Sequence, residues 1–262
     1  MTASVRLPEW HELIRGAMVG SGHFGGVRAV WYDGTLLGIK VLPLEGEHDE
    51  ERERLRRECA KLAGLSHPNV RQVFGLILSP TGDEGGLLCA LHRNSLRDYI
   101  EDALSAQWDT AWLGFAVDIA TGLAYLHAQT PRVVHGGLRP TNVLMTRERV
   151  AMISDGGLAG GALHVPEPVH VYMPLEKLQK HDRLGSWPRD ATPETDYLGD
   201  IRALGCLLAA MASRKDPYGD FTAATKTIKW RAFGLSTGAV HLLAIKIVGG
   251  QTHAMECMNE DK

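Results

Sequence analysis

The sequence predicts an α+β protein with two lobes, a small antiparallel β lobe with one helix and then a larger, mainly α lobe. Between residues 13 and 91, short β-type runs are separated by glycine and turn residues, and Asp33-Gly34 is typical of a hairpin turn. From Ser95 onward, apolar residues recur mainly at helical spacing. These two patterns define the order of the lobes.

The individual elements follow from the same patterns. The predicted strands of the small lobe are AMVGSG, GGVRAVWY, LLGIKVL, VRQVFGLIL and GLLCAL. One helix interrupts them near His48, and its apolar face consists of Leu55, Cys59, Leu62 and Leu65. Further helices are predicted in LRDYIEDAL, in TAWLGFAVDIATGLAYLHA and, starting at Asp200, in DIRALGCLLAAMA, with short strand-like runs around VVHGG, NVLM and AMISD.

The composition excludes several functional classes. The chain has 262 residues and a net charge of −3, so no basic field indicates a nucleic-acid partner. The most apolar late stretch, residues 232–250, contains His241 and Lys246, so we expect no membrane span. The four cysteines are scattered, as expected of reduced thiols in a cytoplasmic protein.

A glycine-rich motif begins at Gly20. Gly20, Gly22, Gly25 and Val27 read G-x-G-x-x-G-x-V. Dinucleotide-binding turns share this glycine spacing but open a helix, whereas here the motif continues as a predicted strand. A glycine-rich hairpin lets backbone N–H groups approach phosphates, and the simpler alternative is a surface hairpin.

Lys40 and Glu58 form a candidate ion pair. Lys40 ends the strand segment LGIK, and Glu58 lies on the same helical stripe as Leu55 and Leu62. A carboxylate on the core side of a helix requires a cation, and Lys40 is the natural candidate. The alternative for Lys40 alone is a solvated lysine at a strand end.

The motifs together resemble a eukaryotic-type protein kinase domain of the tyrosine-kinase-like group. Besides the glycine motif and LGIK, HPNV follows the first helix, and HGGLRPTN resembles the kinase catalytic loop His-Arg-Asp-Leu-x-x-x-Asn. The loop keeps Asn142, but Gly136 replaces the arginine and Gly137 replaces the catalytic aspartate. We therefore assign no catalytic residue.

The resemblance implies a bilobal protein kinase-like fold that binds ATP and Mg2+. It implies that Asn142 and Asp155 bind the metal, that Lys40 holds phosphates and that Glu58 pairs with Lys40. Counting back from Ser95-Leu96 gives a gatekeeper at Leu88, the residue that limits the depth of the adenine pocket. The remaining nucleotide contacts would be the hinge residues Cys89, Ala90 and Leu91, and the ring-sandwiching residues Val27, Gly38 and Leu144.

Several family features are altered or missing. Gly156 replaces the phenylalanine after Asp155, which should leave a hole or a mobile segment. Glu176 is retained in Met173-Pro174-Leu175-Glu176, which resembles Ala-Pro-Glu, but the resemblance ends after Phe221. The expected division is an N-terminal extension at 1–12, small lobe at 13–91, partial large lobe at 92–221 and a divergent tail at 222–262, with the C-terminal helices truncated or divergent.

These features lead to a functional hypothesis with two alternatives. The leading hypothesis is an ATP-binding pseudokinase that acts as a scaffold or allosteric regulator in signalling. One alternative is a weakly active serine/threonine or tyrosine kinase, because Lys40, Asn142 and Asp155 survive. The other is a non-binding relic of a kinase domain. The sequence identifies no protein partner or substrate.

Overall fold

The computed structural model describes residues 6–22, 25–43, 49–82, 84–101, 108–155 and 193–214. Within these ranges the predicted α+β, bilobal, kinase-like architecture is confirmed. The expectations for Gly156, Glu176 and the tail from 222 to 262 lie outside the described residues.

A five-stranded antiparallel sheet forms the first lobe. Its strands are β1 (Ile14–Gly22), β2 (Gly25–Tyr32), β3 (Thr35–Pro43), β4 (Val73–Leu78) and β5 (Glu84–Cys89), arranged in the order β1-β2-β3-β5-β4. A short 3-10 turn, Trp10–Glu12, precedes β1. Asp33 and Gly34 join β2 to β3 with φ values of 47° and 71°. Positive φ at both central residues is typical of a type I′ hairpin, which confirms the predicted turn.

The first helix, α1 (Asp49–Ala63), begins within one residue of its predicted start. Cys59 and Leu62 are buried on its inner face, and Leu65 is buried just beyond its end. The helix packs against β4, so it covers one face of the sheet. The side chains of Leu55 and Glu58 lie outside the described ones.

The two faces of the sheet contact different apolar clusters. Ile39 and Leu88 are opposed on β3 and β5, and they join a small cluster with Val30 and Ile77. Leu87 and its neighbours on the other face join the large core that includes α1 and the second lobe. Because side chains alternate between the faces of a strand, Leu87 and Cys89 pack in the large core, whereas Leu88 packs in the small cluster.

The second lobe combines three short strands with helices. Its elements are β6 (Asn94–Ser95), α2 (Leu96–Glu101), α3 (Trp108–His127), a 3-10 turn (Pro140–Asn142), β7 (Val143–Met145), β8 (Ala151–Ile153) and α4 (Pro193–Ser213). The three strands pair in the order β6-β7-β8. Among the described helices, none is both long enough and apolar enough to cross a membrane.

Two expectations for this lobe are wrong. The run VVHGG forms no strand, because the backbone N–H groups of His135 and Gly136 bind the Asp200 carboxylate instead of a neighbouring strand. The last helix begins at Pro193, so Asp200 lies inside α4 and does not cap its start.

Helix α3 forms the centre of the large core. Ile119 and Leu123 are almost fully buried, and Leu204 and Leu207 of α4 belong to the same cluster. On a more exposed side of α3, Asp118 Oδ2 accepts a hydrogen bond from the backbone N–H of Ala151, at 2.9 Å. This bond connects α3 to β8, the strand that leads to Asp155.

Leu123→Ala is expected to lower the free energy of unfolding by about 2–5 kcal/mol, because it leaves a cavity in a packed core. The matched control is Leu113→Ala in the same helix, where the side chain is 55% exposed and the change should stay within about 0.5 kcal/mol. Urea denaturation of both variants checks this. Equal losses at the two positions would contradict the packing described for α3.

Candidate functional site

Lys40 and Asp155 form a buried ion pair between the two lobes. Lys40 Nζ lies 2.7 Å from Asp155 Oδ2, and the Lys40 side chain is 4% exposed. Lys40 lies on β3, and Asp155 follows β8 after Ser154. The structure therefore brings together two of the predicted site residues. The predicted pairing of Lys40 with Glu58 stays a prediction.

The Asp155 carboxylate is held in its ionised form. Burial alone would raise the pKa of Asp155, but the nearby Lys40 ammonium and Arg71 guanidinium outweigh burial and place this pKa below its ordinary value of 3.8. The backbone at Asp155 is left-handed, with a φ of 63°, a conformation that aspartate tolerates better than most residues. The site thus contains an ionised carboxylate at the end of β8.

Arg71 is a site residue that the sequence analysis missed. Its side chain is 6% exposed, its Nε donates to the Ala90 carbonyl oxygen at 2.9 Å, and its Nη1 lies 3.9 Å from Asp155 Oδ1. Its backbone N–H donates to the Ile153 carbonyl oxygen at 2.9 Å. The available sequence signal was the two-residue spacing between Arg71 and Val73, which places both side chains on one face of an extended segment.

The Arg71 guanidinium lies next to Gly38. A Cβ added at Gly38 would be 3.1 Å from Arg71 Nη2 and 3.4 Å from both Cys89 Sγ and Leu91 Cδ1. Gly38 is opposed to Cys89 across β3 and β5, and Cys89 Sγ contacts the Gly38 carbonyl oxygen at 3.3 Å. The predicted nucleotide residues Gly38, Cys89 and Leu91 are thus assembled, with Arg71 beside them.

Leu88 does not face this cleft, which corrects the gatekeeper assignment. On β5, Leu87 is opposed to Lys40 and Cys89 to Gly38, so Leu87 and Cys89 project to the Lys40 face. Leu88 is opposed to Ile39 and packs in the small cluster on the other face. The position beside the cleft is occupied by Cys89, whose burial raises the pKa of its thiol.

The glycine-rich segment is a β hairpin, as predicted. Gly20 pairs with Val27 and Gly22 with Gly25 across β1 and β2, and Val27 is opposed to Lys40 on β3. The segment does not open a helix, which excludes the dinucleotide-binding reading of the motif. On the opposite lobe, Leu144 lies on β7 and is partly buried.

The loop that precedes Asn142 is held by Asp200. Asp200 Oδ2 accepts from the His135 backbone N–H and Oδ1 from the Gly136 N–H, both at 2.8 Å. His127 Nε2 lies 2.9 Å from Asp200 Oδ2. Asp200 is 2% exposed, so this brace is protected from water.

Hydrogen bonds of Asn142 hold the loop around Gly137, which has no side chain. Asn142 Nδ2 donates to the Gly137 carbonyl oxygen at 2.8 Å, and the Ser154 backbone N–H donates to the Asn142 carbonyl oxygen at 2.8 Å. Gly136 has a φ of 73°, which favours glycine. Gly137 provides no carboxylate, so this loop has no side-chain proton acceptor at residue 137.

A small cavity lies behind Asp155. Its volume is about 20 Å³, and apolar side chains from both lobes line it, including Leu62, Val73, Leu126 and Ile153. The volume is room for about one water molecule. Asp155 is among the residues that line this cavity.

The residues present fit a magnesium site that is shared with phosphates. Asp155 contributes an ionised carboxylate, and Asn142 uses its amide nitrogen within the loop, which leaves its side-chain carbonyl oxygen as a hard ligand. In the described part of the chain, no group of three or more His, Cys, Asp or Glu side chains could hold a metal by itself. Mg2+ in phosphate-binding sites takes one or two protein oxygens and fills its shell with water and phosphate.

Comparisons with known proteins agree with this geometry. The family model described as Protein tyrosine and serine/threonine kinase matches residues 13–168, more than half of the chain. The chain therefore belongs to the protein kinase family.

Curated relatives are similar over most of this chain. Serine/threonine-protein kinase CTR1 of Arabidopsis thaliana is 24% identical over 234 residues, covering 82% of this chain and 26% of that protein. Mitogen-activated protein kinase kinase kinase 5, also of Arabidopsis thaliana, is 26% identical, covering 82% and 30%. Probable serine/threonine-protein kinase drkA of Dictyostelium discoideum is 26% identical, covering 79% and 31%. The chain spans about a quarter to a third of the length of these relatives.

Asp200→Ala is expected to lower the free energy of unfolding by about 2–6 kcal/mol, because two loop N–H groups lose their buried acceptor and each such loss costs about 1–3 kcal/mol. Asp200→Asn keeps one acceptor oxygen and should lose less. Urea denaturation monitored by circular dichroism measures both. An alanine variant as stable as the wild type would show that the brace contributes nothing.

The lowered pKa of Asp155 predicts a pH dependence of stability. The unfolded chain binds this proton at higher pH than the folded chain does, so the contribution of Asp155 is fully present above its ordinary pKa and is lost as the pH falls through the lower folded value. The stability difference between the wild type and Asp155→Asn should therefore be largest at pH 7 and should shrink toward pH 3. Urea denaturation across this pH range measures it, and a constant difference would contradict the assignment.

Proposed function

We propose that this chain is a pseudokinase, a kinase domain that binds MgATP in the Lys40–Asp155 cleft and regulates signalling partners without efficient phosphoryl transfer. The observation that carries the proposal is Gly137, which stands where the family's proton-accepting aspartate is expected. The loop around Gly137 keeps its brace from Asp200 and its Asn142 bond. The loss is therefore local to the catalytic side chain.

In this proposal, MgATP binds to Lys40, Asn142 and Asp155, and the Lys40–Asp155 ion pair supports this assignment. Asp155 and Asn142 would contribute oxygen ligands to Mg2+, and Lys40 would bind phosphate oxygens. MgATP would supply the transferable phosphoryl group and the charge that these residues neutralise. In the described structure, Lys40 is already buried and paired beside Asp155, so a phosphate oxygen would compete with the carboxylate for this ammonium.

Weak phosphotransfer is the second candidate, and the intact loop framework favours it. A positioned general base is worth about a hundred- to ten-thousand-fold in rate. Because phosphoryl transfer has a loose transition state, charge neutralisation by Lys40 and by a bound Mg2+ would supply much of the remaining acceleration. A slow residual reaction is thus chemically consistent with Gly137. The relatives named as serine/threonine kinases support a protein as the acceptor or partner.

The cellular setting is part of the same proposal. The four cysteines are scattered along the chain without a Cys-x-x-Cys pair, which supports a reducing, cytoplasmic environment. The role as a scaffold or allosteric regulator is supported by a loop that keeps its hydrogen bonds to Asp200 and Asn142 but has no general base at residue 137. The partner would be another signalling protein.

The test is a radiolabelled ATP transfer assay with generic protein substrates. Wild-type protein should transfer phosphate no faster than Lys40→Met, and the exposed-lysine control Lys61→Met should match the wild type. In parallel, MgATP should raise the unfolding free energy of the wild type by about 2.7 kcal/mol at a hundredfold excess over its Kd, but not that of Lys40→Met.

Three results separate the candidates. Robust transfer that Lys40→Met abolishes, but Lys61→Met does not, would establish an active kinase. A cooperative melt without any shift on adding MgATP would establish the non-binding relic. Stabilisation by MgATP without transfer is the result expected of the pseudokinase.

A further inference from the structure

We infer that Arg71 determines the ligand specificity of this cleft, because its guanidinium occupies the space of the nucleotide base. The cleft would then bind the magnesium–polyphosphate part of a ligand and gain little from adenine. This inference rests on the proposed function for the phosphate-binding half, formed by Lys40 and Asp155. It adds a residue and a selectivity that the kinase resemblance does not contain.

The position of the guanidinium is the first step. Gly38 and Ala90 belong to the set predicted to contact adenine, Gly38 against the ring and Ala90 in the hinge. Arg71 Nη2 would lie only 3.1 Å from a Cβ at Gly38, and Arg71 Nε donates to the Ala90 carbonyl oxygen at 2.9 Å. The guanidinium therefore lies between two residues that the base would contact.

The second step is that Arg71 is firmly held in this position. Its backbone N–H is fixed by the Ile153 carbonyl oxygen, its Nε by Ala90, and its Nη1 lies 3.9 Å from the Asp155 carboxylate. The side chain is 6% exposed, so an outward rotation must break a partly buried hydrogen bond that the charged guanidinium donates. The inward position is thus the resting state of the cleft.

The absence of a side chain at residue 38 is consistent with this arrangement. A Cβ at 3.1 Å from Nη2 is tighter than an ordinary van der Waals contact, so alanine at residue 38 would push against the guanidinium. Glycine leaves the space that Arg71 fills. Gly38 and Arg71 are therefore complementary in shape. The guanidinium fills the space beside Gly38, so this space is not open to a ligand.

The hydrogen bond of Arg71 to the Ala90 carbonyl oxygen lowers the expected affinity of the cleft for a nucleotide base. A base that enters must displace Nε from the Ala90 carbonyl oxygen and must occupy the same volume as the guanidinium. The affinity for ATP is then reduced by the small fraction of molecules in which Arg71 points outward. A ligand that has phosphates but no base avoids this loss, since Lys40 and Asp155 lie on the other side of the guanidinium.

The experiment compares two ligands on matched variants by isothermal titration calorimetry. The ligands are MgATP and magnesium tripolyphosphate, and the quantity is the ratio of their dissociation constants. The dissociation constants of the wild type for the two ligands should agree within about threefold. Arg71→Val should bind ATP about tenfold or more tightly than tripolyphosphate, because the fraction of molecules with an open base site rises toward one. The control Arg97→Val removes an exposed arginine of α2 that pairs with Glu101 and should keep the wild-type ratio.

The outcomes distinguish this inference from the proposed function. If the wild type and Arg71→Val favour ATP by the same large ratio, Arg71 does not set specificity, and nucleotide binding stands. If neither protein binds either ligand while both melt cooperatively, nucleotide binding is refuted and the inference with it. If the valine variant does not melt cooperatively, Arg71→Met takes its place, because it keeps an unbranched side chain but loses the hinge bond, and the same shift toward ATP is expected.

Discussion

The buried pair of Lys40 and Asp155 connects the two lobes, and the rest of the cleft is arranged around it. An isolated buried charge costs several kcal/mol, so each of these groups requires its partner in place. Two backbone hydrogen bonds connect the strand of Asp155 to the small lobe, from the Ile153 N–H to the Asn69 carbonyl oxygen and from the Arg71 N–H to the Ile153 carbonyl oxygen. The strand that leads to Asp155 is thus fixed directly against the segment that precedes β4.

The catalytic-loop framework depends on backbone contacts more than on the residue that would perform chemistry. Asp200 holds the loop through two N–H groups, and Asn142 holds it through the Gly137 carbonyl oxygen. Neither contact uses a side chain at residue 137. The loop therefore keeps its shape when that position is glycine, and the retained fold does not by itself indicate retained catalysis.

Local patterns were sufficient to predict most elements, since the Asp33-Gly34 turn, the start of α1 and the Lys40 strand are set by nearby residues. The gatekeeper was missed because it was counted back from Ser95 without gaps, and an offset of one residue in a strand reverses the face. The start of α4 at Pro193 was missed because the apolar helical pattern is clear only from Asp200 onward. Arg71 was missed because it was read as part of a turn-and-strand segment, although its buried phase with Val73 marked it as an inward charge.

The contacts of Arg71 explain why a cleft with a buried guanidinium is stable. A buried guanidinium without partners would destabilise the fold by several kcal/mol. Here the Ala90 carbonyl oxygen and the Asp155 carboxylate lie next to it, and Gly38 makes room for it. Because these contacts come from the chain itself, the cleft is filled and electrostatically matched before any ligand arrives. A ligand that enters this cleft would have to compete with contacts already made inside the protein, and this competition is the physical basis of the role inferred for Arg71.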